Sequence, residues 1–212
     1  MKPRRRDVLT FVAALMIGGA ASMGFQYFRP LGERLGRTPM VEDILADPDA
    51  PRVGPAQAPL TIVAYSDYDC PTCRLSYFAM QSAIAGRRDI RIIHKEWPTL
   101  GPNSMKAARI ALAAGDQGIY ARLHDLLMRR DGRIDDETLR AAVEQAGGDW
   151  EKIRAELAAN SDRIDEQIAR NSTEAFALGL RGTPAYLVGP VLVRGGLNEP
   201  GFRQVLREAG AR

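Results

Sequence analysis

Cysteine and histidine are both scarce in this chain, with two of each in 212 residues. A scaffold stapled by disulfides would spread several cysteines along the sequence, whereas Cys70 and Cys73 stand three positions apart. A structural zinc site needs four ligands. His94 and His124 are the only imidazoles, they lie far apart in sequence, and no second cysteine pair exists. The expectation is therefore no bound metal. Excess charge is missing too. Lys2, Arg4, Arg5 and Arg6 supply four of the 29 basic residues and Asp7 one of the 26 acidic ones, which leaves 25 of each from Val8 onward. A neutral body lacks the clustered basic surface that nucleic acid requires. There is no internal repeat and no low-complexity stretch, and apolar and charged contents of 45% and 26% are ordinary for a folded domain.

What is present begins with an address. Residues 2–6 are strongly basic, and Val8 to Phe28 follow without a charge. That is the n-region and h-region of a secretory signal. The small residues from Gly18 to Ser22 offer a cleavage site ending at Ala21 or Ser22, and Arg5–Arg6 permits a twin-arginine reading. A run of about 20 apolar residues is also long enough for an uncleaved anchor. Residues 1–28 are thus read as a signal peptide or membrane anchor, with the basic end inside and the rest exported. Membrane contact is expected only through residues 8–28. Residues 29–58, with Pro48, Pro51 and Pro55, read as a linker or N-terminal extension with one or two helical turns.

The body starts with an apolar, β-branched run, Leu60–Tyr65, that predicts a buried strand. A helix is expected from Cys70 to Gly86, and a second strand over Asp89–Glu96. From Asn103 to Leu178 the apolar period becomes helical, with Asp136, Asp149 and Ser161 as candidate N-caps. Strands return at Ala185–Val188 and Val191–Val193. A final helix is expected over Glu199–Ala209, capped by Asn198 and stopped by Gly210.

Cys70 falls where the first strand meets the first helix. Unpaired N–H groups and the positive end of the helix dipole favour a thiolate there, and a thiolate is the attacking species in thiol exchange. Cys73, one turn on, can reach back and close a disulfide. The bland readings are a structural disulfide, which across so short a loop would constrain the unfolded chain little, or two inert thiols, which suit an oxidising exported space poorly.

At this point the sequence resembles the DsbA-like branch of the thioredoxin superfamily. The resemblance is carried by Ser66-Asp67-Tyr68-Asp69-Cys70-Pro71-Thr72-Cys73, by Trp97-Pro98 with Ser104-Met105-Lys106-Ala107-Ala108, and by Gly179-Leu180-Arg181-Gly182-Thr183-Pro184-Ala185-Tyr186-Leu187-Val188. It covers roughly residues 45–210. It implies an α/β thioredoxin fold with an inserted all-helical subdomain: a domain over 59–212, with thioredoxin halves at 59–98 and 179–212 and the insertion at 99–178. It also implies catalytic Cys70 and Cys73 tuned by Pro71 and Thr72. Gly182, Thr183 and Pro184 would form a cis-proline loop whose backbone pairs with an extended substrate. No cofactor beyond the Cys70–Cys73 disulfide is implied. The implied partners are cysteine-containing exported proteins and a membrane redox partner.

Strong oxidases of that family carry a histidine where this chain has Thr72, so the direction of electron flow stays open between oxidase and reductase or isomerase. A chaperone-like binding module is the reading from another class. Asp67 and Asp69 are read as turn formers, Glu96 as a solvated strand end or a proton shuttle near Cys73, and His94 as structural. Trp97 and Tyr68 are read as packing, with a peptide groove as the alternative.

Overall fold

Strand β3 (Leu60–Ser66) organises the molecule, because every residue in it except Thr61 is buried. The computed structural model describes residues 30–36 and 38–210, so the expected signal or anchor lies outside the described residues. A continuous buried run of this kind needs cover on both faces. Helix α2 (Pro71–Ile84) follows, and β4 (Ile90–Glu96) returns parallel to β3, in register from Leu60 opposite Ile90 to Ser66 opposite Glu96. On the other side of β3 lies antiparallel β5 (Ala185–Val188), then β6 (Val191–Arg194) across the Gly189–Pro190 turn.

Between β4 and β5 the described chain holds five helices and no strand: α3 (Pro102–Ala113), α4 (Tyr120–Arg129), α5 (Asp136–Gln145), α6 (Trp150–Ala159) and α7 (Ser161–Ala177). Helix α8 (Glu199–Glu208) closes the chain and packs on α2; Asn198 caps it by accepting from Gly201 N–H. This is the expected α/β thioredoxin architecture with a helical insertion. Asp149 caps α6 as expected. The cap of α5 is Asp135 rather than Asp136, because its carboxylate accepts from Thr138 N–H. Ser161 is the first residue of α7 rather than its cap.

Within the stretch read as a linker or N-terminal extension, the described residues hold more than one or two helical turns. Two-residue strands β1 (Glu33–Arg34) and β2 (Arg52–Val53) extend the sheet at its two edges, giving the order β1-β6-β5-β3-β4-β2. Helix α1 (Pro39–Ala46), capped by Thr38, buries Val41 and Ile44 against the sheet. Two helical turns were legible; their docking was not.

Alternate residues of a strand face opposite sides, and two cores result. Ile62, Ala64, Ile90 and Ile92 meet α2, α4 and α8 through Met80, Leu123 and Phe202. Val63, Tyr65 and Ile93 meet α1 and α7 through Val41, Ile44 and Ala175. The alternation continues past Ile92 and Ile93, so His94 and Glu96 point to the first side and Lys95 to the second. All three are buried. Among the described residues no helix is long and apolar enough to cross a membrane.

Candidate active site

The turn from β3 into α2 is held by Asp67. One carboxylate oxygen accepts from Asp69 N–H at 2.9 Å; the other accepts from Thr99 N–H at 2.7 Å and Leu100 N–H at 3.0 Å. Cys70 N–H donates to the Asp67 carbonyl at 3.2 Å. Asp67 thus forms the turn and fastens it to the loop after β4.

Cys70 is the N-cap of α2, its Sγ accepting from Cys73 N–H at 3.3 Å, with Pro71 at the first helical position. Proline fits there because its missing N–H would have no intrahelical partner. Both cysteines are thiols in the structure and both are buried, Cys73 more completely than Cys70. Pro71 and Thr72 are exposed beside them. The Thr183–Pro184 bond is cis, and the Thr183 carbonyl lies 3.6 Å from Cys70 Sγ and accepts from its thiol. The fold therefore brings the stretch around Thr183 and Pro184 to the cysteines from more than a hundred residues away.

The two thiols are unequal. A hydrogen bond from the Cys73 thiol, helped by the Cys73 backbone N–H, pulls Cys70 down to about 6 against the cost of its burial. Burial, reinforced by the hydrogen bond to Cys70, pushes Cys73 far up. At neutral pH the arrangement gives a thiolate at Cys70 and a thiol at Cys73.

Two contributors have no motif in the sequence. Gly196 follows β6, where a Cβ would sit 2.8 Å from Thr72 Cγ2 and 3.6 Å from Pro184 Cγ. The backbone there passes too close to the site for any side chain. Ser76 ties the same loop to α2: its hydroxyl accepts from Tyr186 O–H at 2.8 Å and Leu197 N–H at 3.0 Å, and donates to the Leu197 carbonyl at 3.2 Å. The one available signal was the Gly195–Gly196 pair after a strand.

Behind the turn, on the α2 side of the sheet, lies a buried polar cluster. Glu96 Oε1 accepts from Tyr68 O–H at 2.7 Å and from Tyr120 O–H. His124 Nδ1 is 2.8 Å from the Tyr68 oxygen and 3.3 Å from that of Tyr120. The rings of His94 and His124 lie 4.0 Å apart, centroid to centroid. Burial raises the Glu96 carboxyl to about 7, although both tyrosines lower it. Burial holds His124 at about 3 and His94 well below the usual imidazole range, so both rings are neutral. The expectation of a solvated strand end at Glu96 is corrected: the side chain is 1% exposed, because α4 and the Tyr68 loop cover the end of β4. Tyr68 and Trp97 are buried packing groups, Trp97 against Tyr65 and Phe176. Among the described residues no group of three or more His, Cys, Asp or Glu is placed to hold a metal ion.

Comparison with known proteins gives a consistent picture. A family model described as a DSBA-like thioredoxin domain matches residues 61–207. The Na(+)/H(+) antiporter NhaA 1 of Salinispora arenicola is 32% identical over 145 residues, which are 67% of this chain and 22% of that protein. NhaA of Herminiimonas arsenicoxydans is 30% identical over 166 residues, or 77% and 26%. The chain spans about a quarter of the length of these curated relatives. Among solved structures, a thioredoxin-like oxidoreductase from Silicibacter pomeroyi DSS-3 is 31% identical with a TM-score of 0.74, over 79% of this chain and 96% of that one. A periplasmic thioredoxin-like protein from Salmonella enterica serovar Typhimurium is 27% identical with a TM-score of 0.72, over 84% and 99%. The thiol-disulfide exchange protein α-DsbA2 from Wolbachia pipientis is 26% identical with a TM-score of 0.73, over 79% and 90%.

Proposed function

Since this chain belongs to the DSBA-like thioredoxin domain family and is a thiol–disulfide oxidoreductase, we propose that it works as an exported dithiol oxidase. Its oxidised Cys70–Cys73 pair introduces disulfides into cysteine-containing proteins of the cell envelope. A substrate thiolate attacks Cys70 Sγ and displaces Cys73. A second substrate thiolate then attacks the substrate sulfur of the mixed disulfide and releases Cys70. The substrate loses two electrons, the cysteine pair gains them, and a membrane redox partner returns the pair to the disulfide.

The observation that supports the direction is the setting of Cys70, whose Sγ caps α2 and accepts from Cys73 N–H at 3.3 Å, so that its thiol is pulled down. A stabilised thiolate lowers the free energy of the reduced form, which makes the disulfide a stronger oxidant and Cys70 a better leaving group. The backbone around Thr183 and Pro184, beside Cys70, supports a role in holding an extended substrate segment by strand addition. The basic, then uncharged N-terminus supports export. The antiporter name belongs to much longer chains and is not carried over.

A specific observation keeps a reductase in play: Thr72 is uncharged and brings no cation to the thiolate. The deciding experiment mixes the oxidised protein with a reduced, unfolded model protein and follows disulfide formation. Transfer is expected, together with a reduction potential well above that of a cytosolic thioredoxin. Cys70→Ser is expected to be inert. No transfer, or a Cys70→Ser variant as active as wild type, defeats the oxidase reading. A thioredoxin-like potential, or a stable oligomer active on scrambled disulfides, assigns reduction or isomerisation instead.

A further inference from the structure

The helical insertion holds a cavity of about 910 Å³, lined by residues of α3, α5, α6 and α7. Pockets of this size take small molecules, and the space between packed helices is a common place for one. Its floor is apolar. Ile110 and Ile164 are buried there, and Trp150 and Leu157 are half-buried. Neither the Cys70–Cys73 turn nor the loop at Thr183 and Pro184 contributes to the lining.

The lining is unevenly charged. Lys106 and Arg109 of α3, Arg140 of α5 and Arg154 of α6 stand against the carboxylates of Asp136 and Glu137. Both carboxylates lie in the first turn of α5, where the positive end of the helix offsets their charge. Arg109 is held by Asp165 and Arg154 by Glu151, neither of which lines the cavity. Lys106 reaches from α3 across to Asp136 of α5, with side chains 45% and 74% exposed, and ion pairs so exposed are weak. Arg140 comes four residues after Asp136, on the same face of α5. It gives only Nε to Glu144, at 2.8 Å, and its two Nη groups have no partner among the described residues. The fork of a guanidinium matches a carboxylate, which can accept two parallel hydrogen bonds from it.

We propose that this cavity binds a single-chain amphiphilic acid, of the chemistry of a medium-length fatty acid, at a site separate from the cysteine pair. The apolar chain lies over Ile110, Leu157 and Ile164 and covers the Trp150 indole, and leaving water supplies most of its affinity. The carboxylate takes the two unpaired Nη groups of Arg140 and draws Lys106 away from Asp136. These two cations set the sign of the head group. An alcohol of the same length leaves the Arg140 fork unfilled, and a cationic amphiphile meets like charges. No bond is made or broken. Binding here uses neither cysteine and stands whether or not the pair is an oxidase.

The test titrates the full-length protein with decanoate and follows tryptophan emission. The chain has two tryptophans, and Trp97 is buried against Tyr65 and Phe176. The part of the response that Trp150→Phe removes therefore reports the cavity. A saturable blue shift of Trp150 is expected, as the chain covers the half-buried indole. Arg140→Gln is expected to weaken decanoate about tenfold, the loss of charge-assisted hydrogen bonds. Asp136→Asn, which releases Lys106, is expected to tighten it. Both replaced side chains are exposed, so both variants should fold. Decan-1-ol is expected to bind about tenfold more weakly than decanoate for the same reason. No Trp150 response to decanoate overturns the site. Equal affinities for decanoate and decan-1-ol, or an Arg140→Gln variant as tight as wild type, overturn the recognition of an acid. A Trp150 response to a reduced, carboxymethylated polypeptide but not to decanoate makes the cavity a groove for apolar protein segments, and overturns the proposal as well.

Discussion

The end of β4 buries ionisable side chains on both faces of the sheet, and the two faces treat them in opposite ways. On the α1–α7 face, Lys95 is fully buried and pairs with Asp47, the residue that ends α1, and, at 2.7 Å, with Glu174 of α7; Tyr65 O–H donates to Glu174 at 3.3 Å. Burial raises the Asp47 carboxyl, but Lys95 and the backbone N–H groups of Asp49 and Ala50 more than reverse that, leaving it below its ordinary value. On the α2–α4 face, Glu96 is equally buried but meets only hydroxyls and neutral rings, and its carboxyl rises to about 7. A buried lysine between two carboxylates holds three elements together. A buried carboxyl without an opposite charge beside it gives up its own near neutrality and becomes a place to keep a proton. One strand thus carries a fastening and a titrating group one residue apart.

The largest expected effect is on the fastening. Lys95→Met removes the cation and leaves two carboxylates facing each other. Breaking a buried ion pair from one side costs about 3–5 kcal/mol. Asp47 and Glu174 keep some access to water, with side chains 17% and 25% exposed, which places the expected loss near the lower value. Denaturant unfolding at pH 7 measures it. A loss near zero would mean that Lys95 does not hold α1 and α7, and the contrast between the faces would collapse.

The opposite sign is expected on the other face, with a smaller size and a pH window. Below its ordinary 4.5 the Glu96 carboxyl is protonated in both the folded and unfolded chain. Between 4.5 and about 7 the unfolded chain gives up the proton and the folded chain keeps it. Stability therefore falls as pH rises through that window and levels off above it. Glu96→Gln removes the penalty. It is expected to stabilise the protein by about 2–3 kcal/mol at pH 8 and to change little at pH 4. Unfolding curves at the two pH values test this; stabilisation of equal size at both would show that the effect is packing rather than charge.

The sequence made the cysteine side of the molecule legible and the Glu96 side illegible, for a physical reason. Cys70, Pro71 and Cys73 act within one helical turn, so their spacing states their geometry. Leu60–Tyr65 and the helical periods after Asn103 report burial directly. Tyr68, Glu96, Tyr120 and His124 come from three separate segments, and each alone reads as a loop aromatic, a strand end with a proton shuttle as the alternative, or a lone imidazole. Nothing local says that α4 will close over the end of β4. Docking of α1 was hidden in the same way, since Asp47 meets Lys95 only in three dimensions and two-residue edge strands show no period. Gly196 is needed because of Thr72 and Pro184, neither of which is its neighbour in sequence.

The finest test separates the two tyrosines that hold Glu96. Both hydroxyls donate to Oε1 and both lower the carboxyl, Tyr120 more than Tyr68. Removing either hydroxyl takes a donor from the ionised form and leaves burial unopposed to that extent, so Tyr68→Phe and Tyr120→Phe should each move the Glu96 titration further up. The move should be larger for Tyr120→Phe. Each is expected to be about one pH unit or less, because one net hydrogen bond to a charged group amounts to roughly 1.5–3 kcal/mol and the other donor can shorten its own bond in compensation. Infrared titration of the Glu96 carboxyl band, identified by its absence in Glu96→Gln, reads the shift. Lys95→Met should leave that band almost unmoved, since Lys95 is on the other side of the sheet. A Lys95→Met shift as large as that of Tyr120→Phe would mean that the sheet does not separate the two clusters and that they titrate as one network.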